Sequence, residues 1–171
     1  MSDNLSLSQG LTVSLAAAGL AIGTTKSKIK TANNVTYTID GRFYTKTATD
    51  NIAISYTGPT VYQASSGGVQ AVTGNFTGAV GGSSRIYLIG LDASGNVSIL
   101  PGKIANTTDV TAGRVALEFP DAQIGICPIG ALRIDLTAST AFVVGTTLLD
   151  ATGVTATFID LADVPANPLT A

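Results

Sequence analysis

The stretch "RIYLIGLDASGNVSILPG", Arg85 to Gly102, decides how the chain folds. At its centre, Asp92-Ala93-Ser94-Gly95-Asn96 spaces oxygen-bearing side chains much as a calcium loop does. Counted from Asp92, however, Gly95 comes too early for the glycine of an EF-type loop. Lys103 stands where that loop needs its bidentate glutamate. One carboxylate is too few for a tight hard-cation site. The flanks "IYLIGL" and "NVSIL" have strand composition. A hairpin turn accounts for every residue: Asp92 caps it, and Gly95 or Asn96 takes positive φ. The stretch therefore predicts two paired strands near the middle of the chain and no metal ligand.

The same texture extends outward. The 171 residues include 24 Thr and 27 Val plus Ile, all stiff at χ1 and suited to a pleated surface. Nineteen Gly supply turns. In "NVTYTIDGRFYTKTATDNIAISYTG", Val35, Tyr37 and Ile39 alternate with Thr36 and Thr38. Asp40-Gly41 marks a hairpin that sets Phe43 opposite Tyr37 or Ile39. "NIAISY" reads as a third strand, ended by Gly58-Pro59. Gly67-Gly68 and Gly81-Gly82 break the middle into short strands. "NTTDVTAGRVALEF" opens with one helical turn capped by Thr107 or Thr108, and Pro120-Asp121 makes a turn. "QIGICPIGALRIDLT" is a long strand interrupted at Cys127-Pro128, which implies an edge or a bulge. "GVTATFIDL" is the last strand. Eight to eleven short strands predict one all-β domain, a β-sandwich, jelly roll or small barrel. Residues 1–31 form an apolar N-terminal arm or first strand, 32–160 the β-rich domain, and 161–171 an extended tail with two prolines.

Composition narrows function. There is no histidine, so Ser-His-Asp and Cys-His sites are excluded. Glu118 is the only glutamate, and the ten aspartates lie mainly beside turn residues or in the tail. Asp160 and Asp163 are three apart, but in a strand context. "TGAVGGSS" has no following lysine to make a phosphate loop. Cys127 is alone among apolar neighbours and reads as a small buried hydrophobe. No catalytic, cofactor-binding or metal-ligating residue is assigned, and the chain is expected not to be an enzyme. Asn34, Asn75 and Asn106 head glycosylation sequons that Ser/Thr abundance explains.

Charge is sparse, at 12% of residues against the usual quarter. Such a surface points to cover by a partner, although Thr-rich β proteins are also weakly charged. Residues 1–50 carry net +2 and residues 51–171 net −4. No basic patch dense enough for nucleic acid exists. Lys26-x-Lys28-x-Lys30 reads as one solvated strand face, or as a docking strip for an acidic surface. "LTVSLAAAGLAIG" is too short to span a bilayer, and "MSDNLSLSQG" lacks a basic n-region. The expectation is a protein made and kept in the cytosol.

"YTIDGRFYTKTATDNIAIS", "IYLIGLDASGNVSILPG" and "GALRIDLTASTAFVVGTTLLDATGVTATF" together resemble the head decoration, or cement, proteins of tailed bacteriophages. The matching positions are Ile39-Asp40-Gly41, Tyr44-Thr45-Lys46, Asn51, Ile129-Gly130 and Phe142 to Thr147. Cys127-Pro128 departs from that pattern. The resemblance implies a homo-oligomeric β subunit, trimer or dimer, made in the host bacterial cytoplasm. It would bind the capsid exterior and bridge major capsid protein subunits, with no cofactor, nucleic acid or membrane. The other reading is a tail or fibre component, or a glycan-binding attachment module using Tyr37, Phe43, Tyr44, Tyr56 and Tyr62.

Overall fold

The computed structural model describes residues 11–56, 61–65 and 68–162. The expected turn at Gly58-Pro59, the residues 1–10 and the tail from Asp163 onward lie outside these, as does Gly67. The described chain is all-β apart from one short helix, and its sheets are arranged like a sandwich.

A four-stranded antiparallel sheet is the largest unit, in the order β11-β10-β12-β14. Its members are β10 (Ser83–Leu91), β11 (Val97–Asn106), β12 (Cys127–Leu136) and β14 (Val154–Asp160). Against it pack two three-stranded sheets. One is β1 (Val13–Ser14), β4 (Val35–Ile39) and β5 (Arg42–Lys46); the other is β2 (Leu20–Ile22), β3 (Ile29–Thr31) and β6 (Thr49–Ile52). Two ribbons complete the fold: β7 (Val61–Ser65) with β8 (Gly68–Val72), and β9 (Phe76–Thr77) with β13 (Ala141–Phe142). Residues 11–31, expected as an arm or first strand, supply three strands and bury Ala18, Leu20 and Ile29.

All nine residues of β10 are buried, because both of its faces are covered. On one face Tyr87, Ile89 and Leu91 join Leu132 and Ile134 of β12 and Tyr37 of β4 in a single apolar cluster. On the other, Ser84, Ile86 and Leu88 lie beneath α1 (Thr107–Thr111) and the irregular strap that follows it. The strap lies so close that a Cβ on Gly90 would sit 2.3 Å from Ile126 Cγ2.

Local turn chemistry explains the hairpins. Asp40 (φ 50°) and Gly41 (φ 76°) form a two-residue loop with both residues left-handed, the arrangement Asp-Gly favours. The register pairs Tyr37 with Tyr44 and Thr38 with Phe43, so Phe43 does not face Tyr37 or Ile39 as expected and is 72% exposed. The third strand is Thr49–Ile52, so it starts and ends earlier than "NIAISY" implied; within it Asn51 is left-handed (φ 56°) at the register break with β3, and its side chain accepts the Thr25 N–H. The helical turn is present, but Asn106 is its cap: the Asn106 side chain accepts from the Thr108 N–H, a role Asn fills at least as well as Thr. The turn expected at Pro120-Asp121 lies at Ile124-Gly125, where Gly125 has φ 78°. Cys127-Pro128 is a bulge in an interior strand: Ile89 pairs with Gly130 and Gly90 with Pro128.

Gly130 lets β2 close over the sheet. A Cβ there would meet Leu20 Cδ1 at 2.2 Å and the Ile159 carbonyl oxygen at 2.7 Å. Gly130→Ala is expected to destabilise by about 2 kcal/mol, a fall of roughly 4–8 °C in melting temperature by differential scanning calorimetry. An unchanged melting temperature would show that β2 is not seated on β12.

Candidate functional site

The hairpin tip at Asp92 is built from its own polar groups. One carboxylate oxygen accepts the Ser94 and Asn96 N–H groups, both at 2.8 Å, and the other accepts the Asn96 side-chain amide. Gly95 takes φ 79° and donates its N–H to the Asp92 carbonyl. Burial alone would raise the Asp92 pKa; the bonds from Asn96, Ser94 and Gly95 outweigh it and hold the carboxyl below its ordinary value. The tip is also fastened to the opposite sheet. Tyr37 Oη donates to the Asp92 carbonyl at 2.7 Å, and Lys46 Nζ donates to the Gly95 carbonyl at 2.9 Å. Tyr37 stacks on Tyr44 with ring centres 5.6 Å apart, and burial followed by the Asp92 charge raises its pKa.

The second polar centre lies inside the molecule. Arg85 is 1% exposed and sits on the core face of β10. Its Nε donates to the Gly102 carbonyl at 2.8 Å, and Nη1 to the carbonyls of Thr73 (2.7 Å) and Asn75 (3.3 Å). The guanidinium carbon lies 5.6 Å from the Phe76 ring centre and 5.5 Å from that of Tyr87. Tyr87 donates its hydroxyl to the Gly74 carbonyl at 2.7 Å. Burial lowers the Arg85 pKa, and burial raises that of Tyr87 to about 12 against the opposing pull of the Arg85 charge. This is a clamp on main-chain carbonyls, closed to solvent, with no room for a substrate. The sequence does not reveal it, since its partners are main-chain carbonyls of other segments.

The remaining singled-out residues are dispersed. Cys127 is fully buried in the core, and burial raises its thiol pKa to about 11. Glu118 pairs with Lys103 at 2.9 Å in solvent. Asp160 accepts the Leu20 N–H at 3.1 Å, and Asp163 lies outside the described residues. Lys26, Lys28 and Lys30 do not share a strand face: only Lys30 is in β3, while Lys26 is in the preceding turn, 3.6 Å from Asp150. The sequon asparagines all have local duties, Asn34 accepting from the Ala48 N–H, Asn75 from the Val144 N–H, and Asn106 at the helix cap. On the strap side, Ser84 Oγ contacts Thr107 Oγ1 and donates to Asp135, which Arg133 also holds at 2.9 Å. Ser84 is fully buried there. Among the described residues no three His, Cys, Asp or Glu side chains gather where a metal ion could sit, and no helix is long and apolar enough to cross a membrane.

Two surface features remain. An open cleft of about 450 Å³ runs between β11 and the strap, lined by Tyr56, Leu100, Pro101, Phe119 and Gln123 among others. Large apolar side chains also stand in solvent: Ile124 fully, Val80 at 93%, Phe43 at 72% and Leu11 at 65%. Of the five aromatics that a glycan site would use, Tyr37 is buried, Tyr44 and Tyr56 are half-buried, Phe43 is exposed, and the Tyr62 side chain lies outside the described residues.

Neither millimolar calcium nor a chelator is expected to shift the melting temperature, because the Asp92 oxygens are already engaged. A calcium-dependent rise of several degrees in differential scanning fluorimetry would restore the loop as an ion site. The raised pKa values of Cys127 (from 9.0 to about 11) and Tyr87 (from 10.0 to about 12) mean that the folded state holds these protons more tightly than the unfolded state. Their contribution is full below pH 9 and is lost as pH rises to about 12. Urea midpoints measured from pH 8 upward should fall through this window. Cys127→Ala should flatten the fall between pH 9 and about 11; an unaltered slope would place that thiol in water. In comparisons with known proteins, no family model matches the sequence, no curated protein matches it, and no solved structure matches it.

Proposed function

We propose that the chain is a structural virion protein, a decoration subunit that binds the outer surface of an icosahedral phage capsid and bridges its major capsid protein subunits. The observation that carries this reading is the run of phage-cement-like segments from Tyr37 to Phe158, taken with a surface that is poor in charge and rich in exposed apolar side chains. The residues of those segments work as framework. Asp40-Gly41 forms the hairpin tip, Asn51 latches the β2–β3 turn through Thr25, and the N–H groups of Thr146 and Thr147 close a turn on the Val143 carbonyl. Such positions build a scaffold, and a framework role for them suits a lattice-binding subunit. Ile124, Phe119 and Val115 expose apolar surface along one strap, where a shell subunit would exclude water from them. Many weak copies on a lattice gain through effective concentration what each lacks in affinity.

The test mixes the purified protein with expanded empty capsids of a tailed phage and follows the pellet and the particles by negative-stain microscopy. Regular coating of shells, with raised resistance of the heads to heat, is the expected result. Failure to coat, with binding to tails or to a glycan array instead, would sink the decoration reading.

A further inference from the structure

We propose that the outer edge of β14 is a dimerisation surface, taken by β14 of a second copy in antiparallel register. The proposal concerns self-association, and it stands or fails independently of shell binding.

The edges of this molecule are treated unequally. At one side of the four-stranded sheet, β11 carries Pro101 and a register irregularity opposite Arg85 and Tyr87, and the strap approaches it. Proline and bulges are the usual means of spoiling an edge for further pairing. At the free side of the β1-β4-β5 sheet, β5 places Arg42 and Lys46 at its two ends. β14 has neither proline nor bulge, and its single charge, Asp160, stands at its end. Its sequence VTATFID pairs with β12 over seven residues without a break, and no described strand lies beyond it.

The hydrogen-bond phase identifies which groups are open. Thr137 N–H donates to the Gly153 carbonyl at 3.0 Å, and Leu161 N–H donates to the Ile129 carbonyl at 3.1 Å. In the β12–β14 register both are facing pairs of the ladder extended by one residue. Hydrogen-bonded pairs alternate along an antiparallel ladder, so Thr155, Thr157 and Ile159 bond to β12. Val154, Ala156, Phe158 and Asp160 therefore turn their main-chain groups toward the open edge. The Val154 N–H is already used by the Ala151 carbonyl.

A second β14 fits this edge in one best register. With Thr157 facing Thr157 of the other copy on a two-fold axis, Ala156 faces Phe158 and Val154 faces Asp160. Every outward-facing residue then meets another, each Ala156–Phe158 pair exchanges two main-chain bonds, and the two Asp160 carboxylates lie at opposite ends. The side chains agree with it. Ala156 and Phe158 sit half-covered at the margin of the core, and the second copy would set its own Phe158 and Ala156 beside them. On the other face the exposed Thr157 side chains would pair, a favourable cross-strand contact. A two-fold axis makes the surface self-complementary and closes the assembly.

The full chain should elute in size-exclusion chromatography with light scattering at twice its mass. Thr157→Lys and Thr157→Glu each place like charges face to face on the axis, and should raise the concentration of half-dissociation by about tenfold or more. Because the Thr157 side chain is exposed, both variants should keep the wild-type circular dichroism spectrum and melting curve at monomer concentrations. An equimolar mixture of the two variants should recover the dimer. Ala156→Pro, a change an edge strand tolerates, removes an outward-facing N–H and should also give monomers. A wild-type chain that stays monomeric at high concentration, a trimer, or a dimer that survives Thr157→Lys would each overturn the proposal.

Discussion

A buried guanidinium governs the interior of this protein. Removing a charge from water costs several kcal/mol unless polar groups replace its hydration shell. For Arg85 the replacement is made of main-chain carbonyls and two aromatic faces, and among the described residues no carboxylate forms an ion pair with it. The arrangement is demanding because its parts come from separate segments. Thr73 and Asn75 belong to the loop that precedes β9, Gly102 to β11, and Phe76 to the ribbon β9–β13. Leaving any one of those carbonyls unmatched would cost about 1–3 kcal/mol. The charge therefore selects the one chain arrangement in which all are in place. Tyr87 extends the same logic one residue along the loop by holding the Gly74 carbonyl.

This dependence explains what the sequence could show. Turns whose chemistry is local were readable: Asp40-Gly41 needs two left-handed residues, and Asp92 satisfies N–H groups two and four positions ahead. The bulge at Cys127-Pro128 was readable because proline cannot serve an unbroken interior ladder. Arg85 was not. In "SSRIYLIG" a charged residue at the start of an apolar run looks like the solvated end of a strand, and only the fold brings distant carbonyls to it. The strap was hidden for a related reason. Residues 116–123 have no regular structure, so neither helical nor strand periodicity marks them, yet they roof the outer face of β10. The two-residue strands β9 and β13 carry too short a pattern to be seen at all.

The candidate site shows the same division. The sequence marks Asp92 as the cap of a hairpin turn, and both of its carboxylate oxygens are bonded within that turn. What it could not supply is which apolar residues remain outside. Hairpin logic sets Phe43 opposite Tyr37 or Ile39, but the two-residue loop pairs it with Thr38, on the solvent side of β5. A shift of one position in a strand exchanges its faces, and turn geometry alone decides the shift.

With few charges, a β protein has limited means of keeping its edges apart. Lysine and arginine are the common guards, yet only nine basic residues exist here, and Arg85 is inside. Beyond Arg42 and Lys46 on β5, the chain relies on backbone irregularity: a proline and a register break in β11, with irregular chain laid close to it. These devices share a property that charges lack, since they act at one edge without repelling partners elsewhere on the surface. A molecule guarded in this way remains free to meet other surfaces through apolar and main-chain contacts. On this surface Ile124 and Val80 stand in water while the Val80 carbonyl is held by the Asn106 side chain.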